Sequence, residues 1–277
     1  MDRLENISKQ LAEHVKNDRE GDLTIIGMRD KSEEFLIAVL RILFPHYAKN
    51  SILDDVLLRD EVKRLSELLM FFLDRQDLGP TENRKIEIDF LTNLENIKII
   101  LDADAQAIKT ADPAAQSLDE ILLAYPGFLA TASYRIAHHL DNLGVTLLPR
   151  LISEFAHRET GIDIHPKASI GAEFAIDHGT GIVIGETAVI GNRVRLYQGV
   201  TIGALVVHKE LATKKRHPTI EDDVVIYANA TILGADAVIG RRSVIGGNVW
   251  LTQAVAPDSI VTHESTIQYS INQGDEK

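Results

Sequence analysis

From Ile164 to Leu251 aliphatic residues recur about every six positions. Ile164, Ile170, Ile176 and Ile182 keep that spacing, and after a two-residue offset Ile184, Ile190, Leu196 and Ile202 resume it. Past an interruption come Ile220, Ile226 and Ile232, then, one residue late, Ile239, Ile245 and Leu251. Glycine often follows the aliphatic residue, as at Gly171, Gly185, Gly191, Gly203, Gly240 and Gly246. A period of six matches neither a helix, which repeats near 3.6, nor a long alternating strand. It predicts a β-solenoid in which each six-residue unit is a short strand plus a corner and three units close a triangular coil. The aliphatic side chain fills the interior and the small residue tolerates the corner. Roughly four to five such coils stack on one continuous apolar core.

The first half is patterned differently. Ser32 to Phe44 clusters apolar residues at helical spacing, with Glu33 and Glu34 in its first turn and Pro45 as a stop. Further helices are predicted from Ser51 towards Phe72, from about Glu87 to Lys109, and from Phe128 to Leu140. Gly144, Pro149 and Gly161 punctuate the passage to the ladder, and Leu147 to His157 reads as a last helix docked on the first coil. The expected organisation is therefore a helical N-terminal domain over residues 1–145, a connecting segment over 146–162, a β-helix domain over 163–264 and a polar tail over 265–277. The fold class is α+β.

Composition narrows the function. A 277-residue chain that is 45% hydrophobic has ample core. Its net charge of −12 and pI near 5.3 argue against a general nucleic-acid or anionic-membrane binder, because phosphate contacts need Lys and Arg. Without cysteine there is no disulfide framework or thiolate metal site. The start lacks the apolar run of a signal peptide and no uncharged stretch is long and apolar enough to span a bilayer, so a cytoplasmic protein is expected.

Asp112-Pro-Ala, Gly127-Phe128 through Tyr134-Arg135-Ile-Ala-His138, Asp163-Ile-His-Pro, Asp177-His178-Gly-Thr-Gly, Ile184-Gly-Glu-Thr-Ala and Arg216-His217-Pro occur in that order. The ordered set, over Asp112 to Pro257, resembles serine O-acetyltransferase. The resemblance implies that the solenoid is a left-handed parallel β-helix of hexapeptide repeats, and that the reaction moves acetyl from acetyl-CoA to the L-serine hydroxyl, giving O-acetyl-L-serine for cysteine biosynthesis. An alcohol stays protonated at neutral pH, so its attack on a thioester needs a general base, and histidine titrates in the right range. His178 is the candidate. Asp163 precedes it by nearly one coil, so both can lie at one edge of the prism with Asp163 orienting the ring; the resemblance implies the same dyad. Locally, Asp163 could instead cap the first coil and His178 fill a corner.

By the same resemblance Asp112 and Asp177 face the serine ammonium, Arg216 forms a bidentate pair with its carboxylate, and His217 positions it. Asp112 also suits a helix cap before Pro113. Gly203, Ala204, Ala228 and Gly247 match corners that line an acetyl-CoA groove, and each would also be small for the turn alone. The stretch from Gly203 to His217 departs from the family's glycine-rich pattern and is longer; its Lys209, Lys214 and Lys215 are candidates to attract the CoA phosphates. No tightly bound cofactor and no metal are expected, acetyl-CoA being a co-substrate. A homotrimer, or a hexamer made of two trimers, is implied, with His178 of one subunit meeting Arg216 and His217 of another. A complex with O-acetylserine sulfhydrylase is not expected, because the sequence ends at Lys277 rather than at isoleucine. Three alternatives remain: an O-acyltransferase for another hydroxyl or a longer acyl donor, a metal-binding β-helix using His165, His178, His208 and His217, and a catalytically idle scaffold that only assembles partners, against which the presence of both Asp163 and His178 argues.

Overall fold

The computed structural model describes residues 3–17, 27–48, 55–205 and 214–264. Among the described residues eight α-helices precede fourteen short strands: α1 Arg3–Asn17, α2 Met28–Leu43, α3 Asp55–Leu73, α4 Pro80–Thr92, α5 Leu94–Ala111, α6 Leu118–Ala124, α7 Pro126–Asn142 and α8 Leu148–Thr160. α2, α3, α7 and α8 follow the predicted apolar runs, although residues 51–54 and the tail from 265 lie outside the described residues. The run predicted as one helix over residues 87–109 is instead two. Asn93 forms the joint between α4 and α5, and its side-chain amide meets Nδ1 of His139 at 3.3 Å. The short α6, capped by Ser117 accepting from the Glu120 N–H at 3.1 Å, had no pattern long enough to announce it.

The strands wind as parallel coils into three flat faces. Face A contains β1 Asp163–Ile164, β4 Val183–Ile184, β7 Thr201–Gly203, β10 Thr231–Leu233 and β13 Trp250–Leu251. Face B contains β2 Ser169–Ile170, β5 Val189–Ile190, β8 Thr219–Ile220 and β11 Val238–Ile239. Face C contains β3 Ala175–Asp177, β6 Arg195–Tyr197, β9 Val225–Ile226, β12 Val244–Ile245 and β14 Ile260–Val261. In-register pairs such as Ile184 with Ile202, Ile190 with Ile220 and Leu196 with Ile226 stack the six-residue ladder vertically. These side chains are all buried, whereas Val183 and Val189 beside them point outward. Burying each interior aliphatic stabilises the coil by about 1.5–3 kcal/mol.

α7 locks the helices to the first coil. The Tyr134 hydroxyl donates to the Ala168 carbonyl at 2.6 Å and accepts from the Ile170 N–H at 3.1 Å. Arg135 pairs with buried Asp104 of α5 at 3.0 and 3.1 Å and donates to the carbonyls of Ile170 and Gly171, both at 2.6 Å, while Asp104 also accepts from the Phe174 N–H at 2.8 Å. Such a pair is tolerated away from water because its donors and acceptors are satisfied. Among the described residues no helix is long and apolar enough to cross a membrane.

Candidate active site

The prism has three long edges, and the predicted site residues fall on two of them. The first lies between faces C and A. β3 ends in Asp177, and the chain then takes a wide corner through His178, Gly179, Thr180 and Gly181 before β4. This corner is the two-residue offset in the ladder. His178, Gly179 and Gly181 have φ of 57°, 90° and 83°. At Gly179 a side chain would overlap Ile162 and Ile176, so only glycine fits the turn. The left-handed backbone of His178 belongs to the solenoid rather than marking a strained catalytic residue, because Glu173, Arg193, Asp223, Arg242 and Asp258 repeat it at the edge between B and C.

The corner stacks on the start of the first coil: Gly181 N–H donates to the Gly161 carbonyl at 2.8 Å and Asp163 N–H to the Ile182 carbonyl at 2.9 Å. Asp163 and His178 thus flank one edge. The His178 side chain is 74% exposed, and its nearest carboxylate is Asp177, 15% exposed, with Nε2 to Oδ1 at 3.8 Å. Among the described residues no hydrogen bond or ion pair joins His178 to Asp163.

The helical layer reaches this edge through Asp112, the C-cap of α5. Its Oδ2 accepts from the Tyr125 hydroxyl at 2.6 Å and its Oδ1 from the Ala114 N–H at 2.8 Å. The Tyr125 bond, then the Ala114 amide, and lastly the field of His178 hold the Asp112 carboxyl below the usual range. The Tyr125 hydroxyl is pushed up to about 12, first by that same bond, with Asp177 adding to the effect. These mutual influences mark the convergence of Asp112, Tyr125, Asp177 and His178. Tyr125 has no local signal in the sequence, since its partner lies thirteen residues back across α6.

The second edge lies between faces A and B and carries Arg216 and His217, where the chain returns from β7 to β8. Thr187, in the corner after β4, organises both. Its Oγ1 accepts from the N–H of Arg216 at 2.9 Å and of His217 at 3.1 Å, and lies 2.8 Å from His217 Nδ1, which also accepts from the Thr187 N–H at 3.0 Å. The ring lies over Gly185, where any β-carbon would overlap it. His217 is only 7% exposed, and burial, followed by Arg216 and Lys215, pushes its pKa down to about 4. The Arg216 guanidinium pairs with Glu186, which Lys167 approaches to 3.6 Å. Gly185, Glu186 and Thr187 stand inside a quoted motif, yet nothing local gives them a role.

The proposed donor contacts divide in the same way. Gly203 and Ala204 sit at the end of β7 on the second edge; Ala228 and Gly247 sit on the first, where the Ala228 carbonyl accepts from the Asn248 N–H at 3.0 Å. Lys214 is exposed, whereas Lys215 donates from Nζ to the carbonyls of Thr187 at 2.8 Å and Pro218 at 3.1 Å. His208 and Lys209 lie outside the described residues. His165 and His217 are on the second edge and His178 on the first, so these three imidazoles do not gather into one ligand set.

Comparison with known proteins gives this geometry a family. The family described as serine acetyltransferase, N-terminal, matches residues 44–133. A serine acetyltransferase of Mycobacterium tuberculosis is 44% identical over 158 residues, covering 57% of this chain and 67% of that protein. This chain belongs to the serine acetyltransferase family. A plasmid serine acetyltransferase of Synechococcus elongatus is 54% identical over 178 residues, and the match spans 62% of this chain but only 56% of that relative's length. The crystal structure of Entamoeba histolytica serine acetyltransferase isoform 3, in complex with cysteine, superposes with a TM-score of 0.76 at 38% identity over 85% of this chain and 84% of that one. The soybean enzyme complexed with serine gives 0.58 at 29% identity, over 84% and 97%. The solenoid is the left-handed β-helix of this family.

Proposed function

We propose that the protein transfers the acetyl group of acetyl-CoA to the L-serine hydroxyl, giving O-acetyl-L-serine and CoA, at a site completed by two neighbouring protomers. The observation that carries this reading is the division of the site: an exposed imidazole among carboxylates on one edge and a braced Arg216–His217 pair on the other, with face A between them. In a trimer, the first edge of one prism would meet the second edge of the next. Both substrates would then lie in the groove between prisms.

Within that groove His178 takes the proton from the serine hydroxyl as the oxygen attacks the thioester carbonyl. The tetrahedral intermediate collapses by breaking the C–S bond, and the leaving thiolate recovers the proton from His178. An imidazole that is 74% exposed can turn towards Asp163, which flanks the same edge, and Asp163 then fixes its tautomer. Asp112 and Asp177 hold the serine ammonium. Arg216 binds the carboxylate in exchange for its contact with Glu186, and His217 lies beside it. Gly203, Ala204, Ala228 and Gly247 line the donor arm, and Lys214 is the better placed of the two lysines to meet phosphate, since Lys215 is engaged with carbonyls.

The test is thiol release measured across acetyl-, malonyl- and succinyl-CoA with serine, homoserine and sugars as acceptors. Serine with acetyl-CoA is expected to be turned over best. A preference for another acceptor or a longer acyl group would make the protein an acyltransferase of that specificity instead.

A further inference from the structure

We propose that Thr187 is a positioning residue that holds His217 as a neutral imidazole protonated on Nε2, making His217 a hydrogen-bond donor to the acceptor substrate and not a second base. The inference deepens the acetyl-transfer reading and rests on it for the identity of that substrate. Its geometric basis is independent. A backbone N–H can only donate, so the Thr187 amide, 3.0 Å from His217 Nδ1, requires an unprotonated nitrogen there. The Thr187 hydroxyl already accepts from the N–H groups of Arg216 and His217, at 2.9 and 3.1 Å. Those bonds occupy its two lone pairs, and its own proton is left for Nδ1 at 2.8 Å. Two donors thus converge on Nδ1, and the ring's proton must sit on Nε2.

The surroundings agree. A proton added at Nδ1 would oppose the Thr187 amide, and the ring faces Arg216, Lys215, His165 and Glu186, of which only Glu186 favours a charge. Among the described residues Nε2 has no hydrogen-bond partner and is not one of the buried unsatisfied atoms, so it reaches the surface. It emerges over Gly185, whose missing side chain gives the ring its place. An Nε2–H next to the Arg216 guanidinium makes a donor-only pair, which suits a carboxylate and offers nothing to take a proton from a hydroxyl.

The test joins nitrogen-15 spectra of the resting protein, with the His217 signals identified by their loss in His217→Gln, to steady-state kinetics of Thr187→Val and Thr187→Ser. Wild type and Thr187→Ser are expected to show the Nε2–H form alone. Thr187→Val removes the hydroxyl that holds the Arg216–His217 backbone and so lets the ring move off the amide at position 187. It is expected to populate both tautomers and raise the serine KM about ten-fold, the effect of about one hydrogen bond, with the acetyl-CoA KM within about two-fold. Thr187→Ser restores the serine KM. A wild-type ring protonated on Nδ1, or a folded Thr187→Val with the wild-type serine KM, would overturn the proposal. The spectrum of the resting wild type decides the tautomer even if Thr187→Val does not fold. It also needs no turnover, so failure of the serine reading is distinguishable from failure of this one.

Discussion

The two edges that flank face A differ in how tightly they hold their side chains. On one, His178 stands 74% exposed on a left-handed corner, with the Asp177 carboxylate 3.8 Å away. On the other, His217 is 7% exposed and tied by Thr187 through both its ring and its backbone. A base must reach and release a moving proton, so it gains from exposure. A binding group gains from being fixed before the substrate arrives, because ordering it later would cost entropy. Under the proposed mechanism, two histidines of one chain are thus suited to different tasks by their neighbours.

The largest expected effect comes from removing the exposed histidine: His178→Ala should lower kcat by about 10²- to 10⁴-fold in thiol-release assays, with the sedimentation profile unchanged. Near-normal turnover by that variant would remove the distinction between the edges. Mixing asks whether the edges cooperate across protomers. Oligomers co-assembled from His178→Ala and Arg216→Ala chains should regain activity, up to about a quarter of wild type if each site draws one edge from each of two chains. A site contained in one protomer would regain none.

The third expectation concerns the clamp that sets the first coil against the helices. Arg135→Met leaves the buried Asp104 carboxylate unpaired and should cost about 3–5 kcal/mol in chemical denaturation, with Asp104 and Arg135 replaced together costing less than the single change. Tyr125→Phe should be milder, raising the serine KM about three- to ten-fold through loss of one bond to Asp112 and leaving the acetyl-CoA KM unchanged. The last expectation concerns stability against pH. His217 titrates near 4 when folded and near 6.5 when unfolded, so the unfolded chain binds more protons between those values. Its contribution is fully present above about pH 6.5 and is lost as pH falls towards 4; His217→Gln should flatten that part of the slope in melts recorded against pH.

Much of this was legible in the chain. The six-residue spacing identified the interior positions Ile184, Ile190, Leu196 and Ile202, because a solenoid repeats one short local environment and the same burial recurs at the same spacing. The interruptions of the ladder fall beside His178 and Arg216–His217, and a departure from the repeat is visible only against it. Tyr125, Gly185 and Thr187 were not legible. Thr187 is an ordinary corner residue until the segment thirty positions later folds over it, and Tyr125 matters only because α6 turns the chain back onto Asp112. The joint at Asn93 was missed because helical periodicity runs on through a break of one residue.

By itself, then, the sequence determined the repeat, the helical first half and which residues carry reactive groups, because periodicity and side-chain chemistry are local properties. Only the tertiary structure decided that the proposed serine and donor contacts divide over two edges, that Arg216 pairs with Glu186, and that His217 is buried while His178 is exposed. Each of those depends on residues from different coils or domains meeting in space. Such meetings set solvation, hydrogen bonding and tautomer, and a histidine's surroundings thereby choose between base and donor.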